Sequence, residues 1–154
     1  MSASNKLLDT ARARANEKKM PYAGALTPQE AYALLQADPD AKLVDVRTDA
    51  ERDWIGRVEI PQSQHLAVQW NLYPQGKPNP DFLQQLAEVA NKESVLLFMC
   101  RSGVRSRHSA TAAAAQGYLN CFDILEGFEG EKDAEGHRKN VNGWCKAQLP
   151  WVGA

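Results

Sequence analysis

Residues 95–116 read VLLFMC-RSGVR-SRHSATAAAAQ, and this stretch decides the fold. Six apolar residues, Val95 to Cys100, run without alternation. Such a run suits a strand covered on both faces of a parallel sheet. A loop with a central glycine, Arg101 to Arg105, follows. The alanine-rich run from Ser106 to Gln116 then predicts a helix, with Gly117 as its C-terminal cap. The strand delivers Cys100 to its end, the loop curls back over the sulfur, and the helix begins within reach of it.

The same alternation extends in both directions. Upstream, Ala25-Leu26 reads as a first strand, and Thr27-Pro28-Gln29-Glu30 has the form of a capping box with proline at the first helical position. Lys42 to Val46 is a second strand. Thr48-Asp49-Ala50-Glu51 opens a short helix that reaches Trp54 and ends at Gly56. A third strand is expected around His65 to Val68. A polar loop with three prolines covers Asn71 to Pro80, and a helix starting at Asn79-Pro80 carries Phe82, Leu83, Leu86 and Val89 on one face. Downstream, Cys121 to Leu125 is a fifth strand, Glu126 to Asn142 is polar and acid-rich, and Gly143-Trp144 with Leu149-Pro150-Trp151 reads as a closing helix with aromatic anchors. The expected fold class is α/β, an open parallel five-stranded sheet with helices on both faces. Ligands of such sheets bind beyond the C-terminal strand ends. Cys100 lies at such an end, and so does the Asp45-Val46-Arg47 turn. Residues 1–20 read as a polar helical arm, with Leu7, Leu8 and Ala11 at helical spacing. Residues 21–154 form the domain.

Composition narrows the classes. A chain of 154 residues with 44% apolar and 24% charged residues is an ordinary globular domain. The net charge of -1 gives no general reason to expect nucleic acid or an anionic membrane as partner. The longest strictly apolar run, Val95 to Cys100, is far too short to span a bilayer. Three cysteines without a CxxC pair point to free thiols in a reducing, cytoplasmic setting. His65, His108 and His137 show no ligand spacing with them, so neither a metal nor another cofactor is expected.

A free thiol ionises at about pH 8.5, so a cysteine nucleophile at neutral pH needs help from its surroundings. Three local features favour the anion here. The helix after the loop directs its positive end toward the sulfur. The loop offers successive backbone N–H groups, and Gly103 lets the chain turn tightly enough to aim them inward. Arg101 and Arg105 flank the loop, with Arg107 and His108 just beyond. A buried cysteine that merely ends a core strand is the simpler reading. It does not account for an arginine at each end of a glycine-bearing loop between strand and helix.

The run Cys100-Arg101-Ser102-Gly103-Val104-Arg105-Ser106 resembles the active-site loop of the rhodanese (thiosulfate sulfurtransferase) family. Leu43-Val44-Asp45-Val46-Arg47, with Glu51 following, is similar to that family's early DVR motif. Phe122 to Gly127 followed by Trp144 resembles its last strand and closing segment. The resemblance spans roughly residues 22 to 151. It implies a Cys100 persulfide carrier that takes a sulfane sulfur from a small anionic donor, thiosulfate or a persulfide. The sulfur then passes to a thiophilic acceptor, cyanide or a thiol, protein thiols included. It further implies that Arg101 and Arg105 hold the donor and that the amides of Arg101, Ser102, Gly103, Val104, Arg105 and Ser106 cradle the sulfur. Asp45 and Arg47 are implied as supports. Two stretches depart from the family pattern. Gly56 to Ser63 is altered and longer than the family's turn and is expected at the pocket rim. Glu129 to Asn142 is a polar insertion, expected to be a solvated loop.

Two other classes compete. A non-catalytic rhodanese-like binding module typically lacks the cysteine, which is present here. A cysteine-dependent phosphatase needs five residues between cysteine and arginine, whereas four separate Cys100 from Arg105. The smaller ring suits a single sulfur atom. Cys121 and Cys145 read as packing residues. Trp54, Trp70, Trp144 and Trp151 read as core or pocket-wall residues, and Trp70 and Tyr73 are the candidates for the rim.

Overall fold

A computed structural model describes residues 2–153. Five strands form a parallel sheet: β1 (Gly24–Leu26), β2 (Lys42–Asp45), β4 (His65–Ala67), β7 (Val95–Met99) and β8 (Asn120–Ile124). Their order is β1-β8-β7-β2-β4. β7, the most apolar, sits at the centre, where both faces are covered. Its alternate residues feed two cores. Leu97 and Met99 face one side with Leu43, Phe122 and Ile124. There they meet Leu8 and Ala11 of α1 (Ala3–Lys18) and Leu34 and Leu35 of α2 (Pro28–Ala37). Leu96, Phe98 and Cys100 face the other side, against Phe82 and Leu86 of α4 (Phe82–Val89) and Ala110 and Ala113 of α5 (Val104–Ala115).

Both capping boxes form. Thr27 accepts from the amide of Glu30 at the head of α2, and Thr48 accepts from the amide of Glu51 at the head of α3 (Asp49–Trp54). The first twenty residues carry a helix whose buried stripe, Leu8, Ala11 and Ala15, lies against the sheet edge. Gly24 makes the close approach possible, since a Cβ there would lie 2.4 Å from the Ala11 carbonyl oxygen. Arg14 adds a paired hydrogen bond to Glu30 of α2.

Four expectations are corrected. α5 begins at Val104 rather than Ser106, so Arg105 belongs to its first turn. The proline-containing stretch is more than a loop: β5 (Asn71–Leu72) and β6 (Lys77–Pro78) pair as a small hairpin. No closing helix forms over 143–151. Gly143 at φ +100° and Gln148 at φ +61° break the helical path, and Pro150 supplies no amide. The chain ends instead in β9 (Trp151–Gly153), antiparallel to β3 (Gly56–Val58). Finally, Trp54 is 65% exposed rather than core, stacked edge-to-face on Tyr73, whereas Trp144 is fully buried.

Candidate active site

β7 carries Cys100 past the sheet, and the chain turns at Gly103, whose φ of +111° is costly for any residue with a Cβ. That turn aims the Gly103 N–H at the Cys100 Sγ, 3.0 Å away. The second polar neighbour is the Ser106 hydroxyl at 3.5 Å. Ser106 lies on the buried side of the first turn of α5. Cys100 itself is only 1% exposed and shares its core with Val44, Val46 and Phe98. The sulfur therefore has apolar walls and a polar lid. Among the amides of residues 101–106, only that of Gly103 is hydrogen-bonded to it.

Arg101 and Arg105 open onto one cleft of about 300 Å³, together with Glu51 and the hairpin residues Leu72, Tyr73 and Pro74. The two arginines differ electrostatically. Arg105 is held by both Glu51 oxygens, at 2.6 and 2.9 Å. Arg101 is exposed and makes no ion pair among the described residues. Burial pushes the Glu51 carboxyl up, but Arg105's hydrogen bonds and charge outweigh it, with help from the Thr48 amide, and hold it down at about 2. An unfolded glutamate ionises near 4.3. The pair's stabilisation is therefore present above that value and fades as the pH falls toward 2. Glu51→Gln should cost about 1–2 kcal/mol at pH 7. The variant's stability should also fall less steeply than the parent's between pH 5 and 2, as urea melts across that range would show.

Asp45 and Arg47 are fully buried. The Arg47 Nε and Nη2 donate to the Asp45 carboxylate, Nη2 also donates to the Gly56 carbonyl, and the guanidinium lies 4.3 Å from the centroid of the Phe128 ring. Arg52 donates to the Arg47 carbonyl and pairs with Asp49. Val46 N–H donates to the Met99 carbonyl, tying the end of β2 to the residue before Cys100.

The segment after β8 clamps the loop from the other side. The amides of Phe128 and Glu129 donate to the carbonyls of Cys100 and Arg101. Gly127, at φ +71°, approaches so closely that a Cβ would lie 2.6 Å from the Cys100 carbonyl oxygen. Gly127→Ala should therefore destabilise the protein by about 2–3 kcal/mol, through strained backbone and displaced loop together. A denaturation curve checks this; a loss under about 0.5 kcal/mol would mean that the clamp is slack.

The insertion is, as expected, a loop exposed over most of its length, pinned to the domain at a few points. Glu129 is buried, Glu126 accepts from the Gly143 amide, and Arg138 donates to the Gly130 carbonyl. With Ser102, Gly103 and Val104 it borders a second, open cavity of about 620 Å³ beside the cysteine loop. Gly56 to Ser63, expected at the rim, lies away from the cleft and lines a separate cavity with Arg52 and His65. Tyr73 stands at the cleft and Trp70 packs on Phe82. Burial pushes the Cys121 thiol up to about 12 and the Cys145 thiol up to about 11.

The residue that sequence reasoning missed is Asp123. Read only as part of the strand Cys121 to Leu125, it is buried on β8 and accepts a 2.5 Å hydrogen bond from the Ser106 hydroxyl. A carboxylate inside a strand covered on both faces was the available signal.

A family model described as a rhodanese-like domain matches residues 27–134. Among curated proteins, an uncharacterised protein of Rickettsia rickettsii is 33% identical over 79% of this chain and 91% of its own length. The thiosulfate sulfurtransferase GlpE of Haemophilus influenzae is 31% identical over 85% of this chain and 95% of its own. Among solved structures, Rv0390 from M. tuberculosis matches with a TM-score of 0.78 and 38% identity, over 86% of this chain and 99% of that one.

Proposed function

The chain belongs to the rhodanese-like domain family, and from that premise we propose that it is a sulfurtransferase carrying a sulfane sulfur on Cys100. The observation that supports this most is the Gly103 N–H held 3.0 Å from the sulfur by a left-handed turn. A fixed donor at that point favours negative charge on sulfur. The thiolate attacks the outer sulfur of thiosulfate. The bond between the two donor sulfurs breaks, sulfite departs with the electron pair, and a persulfide anion stays on Cys100. Cyanide or an acceptor thiolate then attacks the outer sulfur and returns Cys100 as thiolate.

The cleft supplies the rest. Arg101, free of an acidic partner among the described residues, takes the sulfonate end of the donor. Arg105, with its charge largely balanced by Glu51, positions rather than attracts. The amides of Arg101 to Ser106 not committed to Sγ face the transferred sulfur. Asp45 and Arg47 support the loop from below. A persulfide on a small molecule or on a protein fits the same donor site, and a protein thiol fits as acceptor because Trp54 and Tyr73 stand exposed beside the opening. We place the protein in a reducing compartment such as the cytoplasm, since all three of its cysteines are free thiols. No helix among the described residues is long and apolar enough to cross a membrane.

Intact-mass spectrometry after thiosulfate treatment tests the reading. The expected result is a gain of one sulfur atom that is lost again on adding cyanide. No gain would identify a binding module instead.

A further inference from the structure

The register of β8 against β7 sets Asp123 beside Phe98, two residues before Cys100 on the same face of the sheet. From there the carboxyl meets the first turn of α5. Its Oδ1 accepts from the Ser106 Oγ at 2.5 Å, while its Oδ2 is buried with no partner among the described residues. On the other side of the serine, the Cys100 Sγ lies 3.5 Å from the same Oγ. Thiol, hydroxyl and carboxyl thus form one buried chain.

A hydroxyl has a single proton, so its orientation is informative. When Ser106 donates to an ionised Asp123, it turns lone pairs toward the sulfur and can only accept from an S–H. When Asp123 is protonated, its O–H donates to Ser106 Oγ and the serine proton is free to point at sulfur. We propose that Asp123 stores the proton given up by Cys100, received through Ser106, so that thiol and carboxyl share one proton across the serine.

The step balances. The S–H proton moves to Oγ as the Oγ proton moves to Oδ1, and the three groups carry one negative charge before and after. The thiolate so formed accepts from both the Ser106 hydroxyl and the Gly103 N–H. The unpartnered Oδ2 is what makes the carboxyl a willing store. An ionised carboxylate with one bare buried oxygen is costly, and the neutral acid is much less so. Burial accordingly pushes Asp123 up to about 6, with Ser106 and the Arg107 charge pulling against it. The other groups facing it do not take over the role. Arg107, from α5, has no acceptor lone pair that could take the proton. Tyr22, ahead of β1, is raised further by burial and by Asp123 itself. Glu126, Lys132 and Arg138 share the cavity beyond but are not bonded to the carboxyl.

The inference rests on Cys100 being the reacting sulfur, and its test needs no sulfur donor, so it can fail while sulfur transfer stands, or the reverse. The rate of iodoacetamide alkylation of Cys100 is measured against pH. Two groups sharing a proton titrate in two macroscopic steps. The parent protein should show a first rise near pH 6, a plateau, and a second rise at alkaline pH. In Asp123→Asn the first step should vanish, leaving a single rise. Ser106→Ala should also give a single rise, because the link is cut with the carboxyl still present. A two-step profile surviving in Ser106→Ala would reduce the coupling to charge acting through space and overturn the relay. A single step in the parent protein would overturn it without any variant, and Ser106→Gly, which cuts the same link, takes the place of Ser106→Ala should that variant not fold.

Discussion

Cys100→Ser should leave a folded protein in which sulfur transfer is lost to assay background. The exchange is nearly isosteric. The new hydroxyl can accept from the Gly103 amide and meet Ser106, as the thiol does. Placing it among Val44, Val46 and Phe98 should cost only about 1–2 kcal/mol, because its polar partners are already in place. Chemistry is another matter. An alcohol ionises far above neutral pH and forms no stable bond of the persulfide kind, so neither half of the cycle has a carrier. Nor can the other cysteines substitute: burial holds Cys121 up at about 12 and Cys145 up at about 11, which leaves them almost entirely protonated. The measurements are thiocyanate formation from thiosulfate and cyanide, intact mass, and a thermal melt. Turnover within tenfold of the parent, or a sulfur atom gained on another cysteine, would refute the assignment.

The parts of this molecule that were legible in the sequence are those in which neighbours along the chain determine the outcome. Val95 to Met99 announces a central strand by lacking alternation. Thr27 with Glu30, and Thr48 with Glu51, announce helix starts because both partners of each capping box lie within one turn. Gly103 announces the turn over Cys100 because a left-handed residue there needs no tertiary support. The closing segment failed for the opposite reason. Leu149-Pro150-Trp151 has apolar spacing that suits a helix, but Trp151 is claimed by an antiparallel partner at Val58, more than ninety positions away in the chain. Glu51 was visible as a capping residue; that its carboxylate also binds Arg105 follows only from how α3 and α5 meet. Asp123 shows the same limit. Its identity as a buried acid is local, but its link to Cys100 exists only because β8 lies next to β7.

Asp45→Ala should destabilise the fold by about 3–5 kcal/mol, because it strands a buried guanidinium. Arg47 is wholly inaccessible to water and draws most of its polar contacts from Asp45. Without that carboxylate it keeps the Gly56 carbonyl and the face of Phe128, while its Nη1 already has no hydrogen-bond partner among the described residues. An aromatic face contributes about 2 kcal/mol at best to a desolvated cation, too little to replace a paired carboxylate. Typical domains are stable by 5–15 kcal/mol, so the expected loss is a large share of the total, and the melting point should fall by about 10 °C or more. The penalty comes from the unpaired charge rather than from the intrinsic strength of the pair. Replacing both partners by apolar residues, Asp45→Leu with Arg47→Met, should therefore cost much less than Asp45→Ala alone. Because β2 is tied to the residue before Cys100 through Val46 and Met99, the single variant should also lose sulfur transfer at temperatures where it remains folded. A loss below about 1 kcal/mol in urea melts would show that water reaches Arg47, and with it that the floor of the site is not dry.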